Sequence, residues 1–177
     1  MVNAILTFRG QPARLGGFTL IELMITIAVL AVFLTLAAPS MRDLVIASQL
    51  RTTASDLYES VILARSEAIK RAANVNVVPV SGNWQNGWTV QAGATVLQSR
   101  DATTNVTVTP KTLQLATPLS TNITFSMDGR QSTDIANVIF STTQSAQPIK
   151  ARCVLIAASG RPSIRTDTDN DPSNGCN

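Results

Sequence analysis

Gly17-Phe18-Thr19-Leu20-Ile21-Glu22 opens an apolar run that carries no further charge until Arg42. From Phe18 to Ala38 the run covers about 21 residues; as a helix rising about 1.5 Å per residue it would measure roughly 31 Å, the thickness of a bilayer's hydrocarbon core. An acid inside such a run is costly, on the order of a few kcal/mol, so Glu22 asks for a function and a partner. The segment before it, 1–17, is polar and mildly basic through Arg9 and Arg14. A secretory signal places its apolar stretch ahead of the cleavage point and is discarded. Here the apolar stretch follows, so a cut after Gly17 would keep the helix and give it a new amino terminus at Phe18. With both arginines on the amino side, the positive-inside bias holds the leader in the cytoplasm and sends the rest across. A signal anchor that is never cut is the plainer alternative.

Beyond Pro39 the apolar pattern changes character. Leu50, Ala54, Leu57, Val61, Ala64 and Ala68 recur in steps of four and three, one stripe on a helix. Arg51, Asp56, Glu59, Arg65, Lys70 and Arg71 lie off it, and Glu67 stands four before Arg71, a favourable pair. The spacing predicts one long helix, Phe18 to about Ala72, apolar all round in its membrane-spanning first half and amphipathic in its second. A proline in such a pattern normally kinks or breaks the helix. From Asn74 the period becomes two: Val75 and Val77 with Val80, Trp88 and Val90 with Val96 about the Ala92-Gly93 turn, and Val106 with Val108. Ile123, Phe125 and Met127 lead to Asp128-Gly129, with Val138 and Phe140 returning; Val154 and Ile156 lead to Ser159-Gly160, with Ile164 beyond. Six to eight threonine-rich strands predict an antiparallel sheet covering the helix stripe. The fold class is α+β, with segments 1–17 (leader), 18–38 (membrane and assembly helix), 39–73 (amphipathic helix half) and 74–177 (β-rich domain); the tail from Thr166 reads as loop.

The G-F-T-L-I-E string resembles the leader of type IV pilins and type II secretion pseudopilins. That resemblance implies cleavage by a prepilin peptidase between Gly17 and Phe18, methylation of the Phe18 amine, an assembly role for Glu22, and a helix-softening role for Pro39. Leu63-Ala64-Arg65-Ser66-Glu67-Ala68-Ile69-Lys70-Arg71, Trp84-Gln85-Asn86-Gly87-Trp88, Phe125-Ser126-Met127-Asp128-Gly129-Arg130 and Ser159-Gly160-Arg161 resemble, in that order, the GspH/FimT group of minor pilins and pseudopilins. The plainer reading of the two tryptophans is core and turn packing, and of Asp128-Gly129 a turn. The group implies a minor pilin that helps filament assembly and binds duplex DNA, or alternatively a pseudopilin of protein export. The implied partners are the peptidase, other pilins through the N-terminal helix, and the bacterial inner membrane, with the C-terminal domain in the periplasm before incorporation into a pilus or pseudopilus. A glycine-arginine motif carries DNA binding in part of the group; here it falls on Arg161 and, four residues on rather than two, Arg165.

Charge and composition bound the rest. Removing Arg9 and Arg14 from 14 Lys+Arg leaves basic residues nearly balanced against 11 Asp+Glu, so binding to a polyanion needs a local patch. Between Asp134 and Asp167 lie Lys150, Arg152, Arg161 and Arg165 and no acid; if these segments pair as a hairpin the four charges could converge on one edge and contact phosphates. The alternative is a solvated hairpin whose charges keep an edge soluble. With no histidine and only two cysteines, histidine-based catalysis and the usual zinc sites are excluded, and no nucleophile elbow, P-loop or dinucleotide fingerprint is present. No enzymatic activity, cofactor or metal is expected. Asp167, Asp169 and Asp171 form D-x-D-x-D, but Pro172 occupies the place where a calcium loop needs glycine, so a solvated loop is the expectation. Cys153 and Cys176 read as a disulfide in an oxidising compartment, the alternative being two free thiols.

Overall fold

The computed structural model describes residues 17–111, 121–143, 149–169 and 176, and of 36–40 the backbone only. The leader 1–16, the side chain of Pro39 and Asp171 lie outside the described residues. Two compact units are distinguished, Met1–Ala38 and Pro39–Asn177.

Helix α1 is assigned to Leu20–Arg71, so Pro39 does not terminate it. Among the described residues of the first unit the large apolar side chains are exposed, from Phe18 at 86% to Val29 at 49%. A membrane crossing needs about twenty apolar residues, and the described side chains of this run stop at Thr35; among the described residues no helix is long and apolar enough to cross a membrane.

The second unit is an α+β domain built on the predicted stripe. Leu50, Ala54, Leu57, Val61, Ala64 and Ala68 are each buried to 1% exposure or less and share one core cluster with both sheets. Their spacing is what buries them: three- and four-residue steps keep all six on one face. Ile46, Thr53 and Ser60 are buried beside the stripe. The helix ends in a Schellman arrangement: Ala73 N–H donates to Ala68 C=O at 3.2 Å and Ala72 N–H to Ile69 C=O at 3.3 Å. Ala72 itself takes the left-handed φ of 48° that glycine usually supplies.

The chain continues through β1 (Val75–Pro79), two short 3₁₀ turns, β2 (Gly87–Ala92), β3 (Thr95–Asp101), β4 (Thr107–Lys111), β5 (Ile123–Phe125), β6 (Asn137–Ser141), β7 (Arg152–Ile156) and β8 (Pro162–Thr166). Among the described residues all pairings are antiparallel, as expected, but they form two four-stranded sheets rather than one: β3-β2-β1-β5 and β4-β6-β7-β8. Asp128-Gly129 does turn the chain, with Gly129 N–H donating to Ser126 C=O at 2.8 Å. It does not join β5 to β6, however. The reversal closes on a single bridge, Phe125 to Gln131, after which the chain crosses to the other sheet. Met127 is therefore turn, exposed at 62%, and Val80 lies in a 3₁₀ turn, not in β1.

Gln85 ties the sheets together. Its amide nitrogen donates to Val106 C=O, and its amide oxygen accepts from Val108 N–H at 3.1 Å, so one side chain in the turn before β2 serves both backbone groups leading into β4. Trp84 and Trp88 pack at 6.3 Å between ring centroids within the core, and Trp88 Nε1–H donates to Ser60 Oγ at 2.9 Å. Both tryptophans serve packing and turn formation.

Candidate functional site

The first candidate site is the start of α1. Thr19 is its N-cap and Glu22 its third helical residue. Glu22 N–H donates to Thr19 Oγ1 at 3.2 Å, while the Glu22 carboxylate accepts from Thr19 N–H at 3.0 Å and Thr19 Oγ1–H at 3.1 Å. This reciprocal capping box satisfies two backbone donors that a helix start otherwise leaves open. The spacing Thr19-x-x-Glu22 is the capping-box signature, legible in the sequence. Glu22 thus has a local partner three residues away, before any amine is supplied.

The second is the set of basic residues in the C-terminal half. β7 and β8 do pair as a hairpin, Arg152 opposite Thr166 and Ile156 opposite Pro162. Alternation along the strands then separates Arg152 from Arg165. Arg152 shares the face of Val154 and Ile156, which build the main core, whereas Arg165 lies opposite Cys153 on the face of a second small cluster with Ile139 and Ala151. Arg161 sits at the turn end of the hairpin and Arg152 at the other, five residue steps or about 17 Å along the strand. The hairpin thus distributes its charges over both faces and both ends.

Arg161 gains different company. The segments Ser126–Arg130 and Ala157–Arg161 form turns with the same hydrogen bonds. Ser126 N–H donates to Arg130 C=O at 2.9 Å and Ala157 N–H to Arg161 C=O at 3.1 Å; Gly160 N–H donates to Ala157 C=O at 2.7 Å, as Gly129 does to Ser126. Gly129 and Gly160 both take positive φ, 76° and 78°, the bulge geometry that leaves an arginine just after each. The turns pack on one another so closely that a Cβ on Gly160 would meet the Gly129 carbonyl oxygen. Arg65 of α1 caps the junction, donating through Nε to Gly129 C=O at 3.1 Å. Arg130 and Arg161 are exposed on either side of the contact. Arg130 was not among the sequence candidates; the repeated Gly-Arg dipeptide was its signal.

Elsewhere cations meet acids. Arg100 lies 3.6 Å from Asp56 and 3.5 Å from Glu59, and Glu67 binds Arg71 at 2.6 Å and Lys70 at 3.3 Å. The hydrogen bonds from Arg71 and Lys70 hold the Glu67 carboxyl below the usual range, while burial pushes Asp56 up against the pull of Arg100. Of the D-x-D-x-D residues, Asp167 is buried with its N–H donating to Ala151 C=O, and Asp169 is exposed. Cys153 and Cys176 form a disulfide with Cα atoms 6.1 Å apart.

Two crystal structures of the type IV minor pilin FimU of Pseudomonas aeruginosa (strain PAO1) are similar to this chain. One is 20% identical over 73% of this chain and 96% of its own, at a TM-score of 0.49; the other is 21% identical over 72% and 100%, at 0.46. No curated protein matches. The family model for the prokaryotic N-terminal methylation motif matches residues 14–38, bracketing Gly17, Phe18 and Glu22. A second, for the type II transport protein GspH, matches residues 53–160, from the buried helix stripe to the glycine before Arg161. With that match covering most of its length, the chain belongs to the GspH family of pilin-like proteins.

Proposed function

We propose that this protein is a minor pilin, held in the inner membrane by the first half of α1 with its β-rich domain in the periplasm, and built into a type IV pilus after cleavage following Gly17 and methylation of Phe18. The observation that carries the reading is the methylation motif over 14–38 with a single acid inside an apolar helix. Exposed apolar side chains from Phe18 to Leu34 give that helix a surface that lipid first, and neighbouring helices later, can cover. In the filament Glu22 exchanges its Thr19 partners for the positive amine of Phe18, its own or a neighbour's. Truncating one partner of such a buried pair costs about 3–5 kcal/mol.

Two substitutions test this. Glu22→Ala removes cap and charge together; Glu22→Gln keeps a capping-box residue and removes only the charge. Both should insert into membranes and fail to enter filaments. Glu22→Gln present in sheared pili at wild-type levels would refute the pairing. A pseudopilin of a type II secretion filament is the second reading, favoured by the match of residues 53–160 to the family of the type II transport protein GspH. Deleting the gene separates the two: loss of surface pili supports the first, loss of protein export with pili intact the second.

DNA binding belongs to the pilus reading as a further function. It is supported by two exposed arginines, Arg130 and Arg161, set at equivalent places on twin turns. Contacts to phosphates alone would be weak and would fall steeply with salt. A mobility shift that persists in an Arg130→Ala/Arg161→Ala variant would remove them from the interface.

A further inference from the structure

Arg152 presents an unusual position for a cation. It lies on the core-facing side of its sheet, in register with Phe140 and Thr166, yet among the described residues no carboxylate pairs with it. Two other cations share the concavity into which it opens. Arg51 comes from α1 and Lys150 from the segment entering β7; Leu50 and Ile149 supply apolar walls and Thr166 a hydroxyl. The volume is about 220 Å³, and among the described residues no acid lines it. Among the described residues neither Arg51 nor Lys150 has an ion pair either. The contrast with Arg100, Lys70 and Arg71, each matched to an acid on α1, is informative: the same helix supplies carboxylates to cations on its other faces and a third cation here.

We propose that Arg51, Lys150, Arg152 and Thr166 form a binding site for a single phosphate group, free or as the end of a small ester. The site supplies three positive charges from separate elements, two of them guanidinium forks suited to paired contacts with phosphate oxygens. A carboxylate, with one charge and two oxygens, would leave most of those donors unused. The apolar walls weaken solvent screening and strengthen the field at the centre. The volume falls below the roughly 300 Å³ at which sites for drug-sized molecules begin, which fits a small anion. This site is distinct from the twin Gly-Arg turns, since Arg161 stands at the opposite end of the β7–β8 hairpin from Arg152.

The test is calorimetric titration of the full chain in non-ionic detergent with inorganic phosphate and, separately, with glycerol 3-phosphate. Both ligands should bind at one site, and their order of affinity tells whether the free ion or the ester is preferred; either order supports the site. Arg152→Gln should weaken binding by at least about tenfold, the worth of a charge-assisted hydrogen bond. Arg51→Gln, on the exposed side of the helix and without consequence for the core, should do the same, while Arg161→Gln should leave affinity within about twofold. Absence of binding by the wild type, retention of affinity in Arg51→Gln, or an equal loss in Arg161→Gln would each overturn the proposal. So would duplex DNA displacing phosphate at a lower concentration of phosphate groups than glycerol 3-phosphate requires, because the site would then serve nucleic acid.

Discussion

Gly160→Ala should destabilise the β-rich domain far more than a left-handed glycine ordinarily warrants. Its φ of 78° alone would cost an alanine about 1–2 kcal/mol. The added Cβ would also come within the 3.0 Å that real Cβ atoms keep from the Gly129 carbonyl oxygen, and Arg65 Cδ stands at 3.3 Å on its other side. Backbone cannot swing aside as a side chain can, so the two turns must part. Separation stretches the hydrogen bonds from Gln131 N–H to Ala158 C=O and from Arg65 Nε to Gly129 C=O. A neutral bond of this kind is worth about 1 kcal/mol and one from a charged donor about 1.5–3, which brings the total to about 3.5–6 kcal/mol. Gly93→Ala is the control: φ is 60° but nothing lies within 4 Å, so the cost is conformational alone, about 1 kcal/mol. Gly129→Ala falls between, since its Cβ would meet the far end of Ile69 at 2.6 Å, a side chain able to give. Urea unfolding followed by fluorescence of the buried tryptophans, Trp84 and Trp88, measures all three. A Gly160→Ala loss within 1 kcal/mol of the Gly93→Ala loss would refute the packing argument.

Ala72→Gly should stabilise the domain by about 1 kcal/mol, because the Schellman cap puts an alanine where the left-handed φ suits glycine; a thermal melt showing no gain would mean the cap relaxes. Replacing Cys176 by serine, or reducing the bond, should cost about 3 kcal/mol for a loop of this length on the chain-entropy view, read as a lower urea midpoint. Two carboxylates should pull stability in opposite directions as pH changes. The Glu67 pKa is depressed on folding, so its contribution is present above the ordinary glutamate value and is lost as pH falls through the depressed one. The Asp56 pKa is raised, so stability falls as pH climbs from the ordinary aspartate value through the raised one. Glu67→Gln and Asp56→Asn should each flatten the corresponding limb of a stability-versus-pH curve, and an identical effect from both would contradict these assignments.

The helix stripe could be read from the sequence because its determinants are local. Six apolar residues at helical spacing either share a face or the segment is not a helix, and all six are buried. The turns were legible for the same reason, since Asp128-Gly129 and Ser159-Gly160 carry their own backbone preference. Strand partnership was not. Val77 pairs with Ile123 across a long stretch of chain, and nothing near either residue distinguishes one sheet from two. Of the four cations expected to converge, Lys150 and Arg152 meet in one concavity, whereas parity sets Arg165 apart: in the register adopted, Arg152 and Arg165 stand on opposite faces. Arg51 carried no local signal at all. Read along the helix it is a solvated off-stripe cation, and only the fold brings it beside Lys150 and Arg152.

The bridge between Cys153 and Cys176 fastens the end of the chain to a buried strand on the side of the domain away from α1. Such a fastening closes only where thiols can be oxidised and stays open in a reducing cytosol. If the domain is exported as proposed, a molecule that has not yet crossed the membrane carries this loop open, and one that has crossed carries it clasped. On that reading the state of this single bond is a record, written into each copy, of whether export is complete.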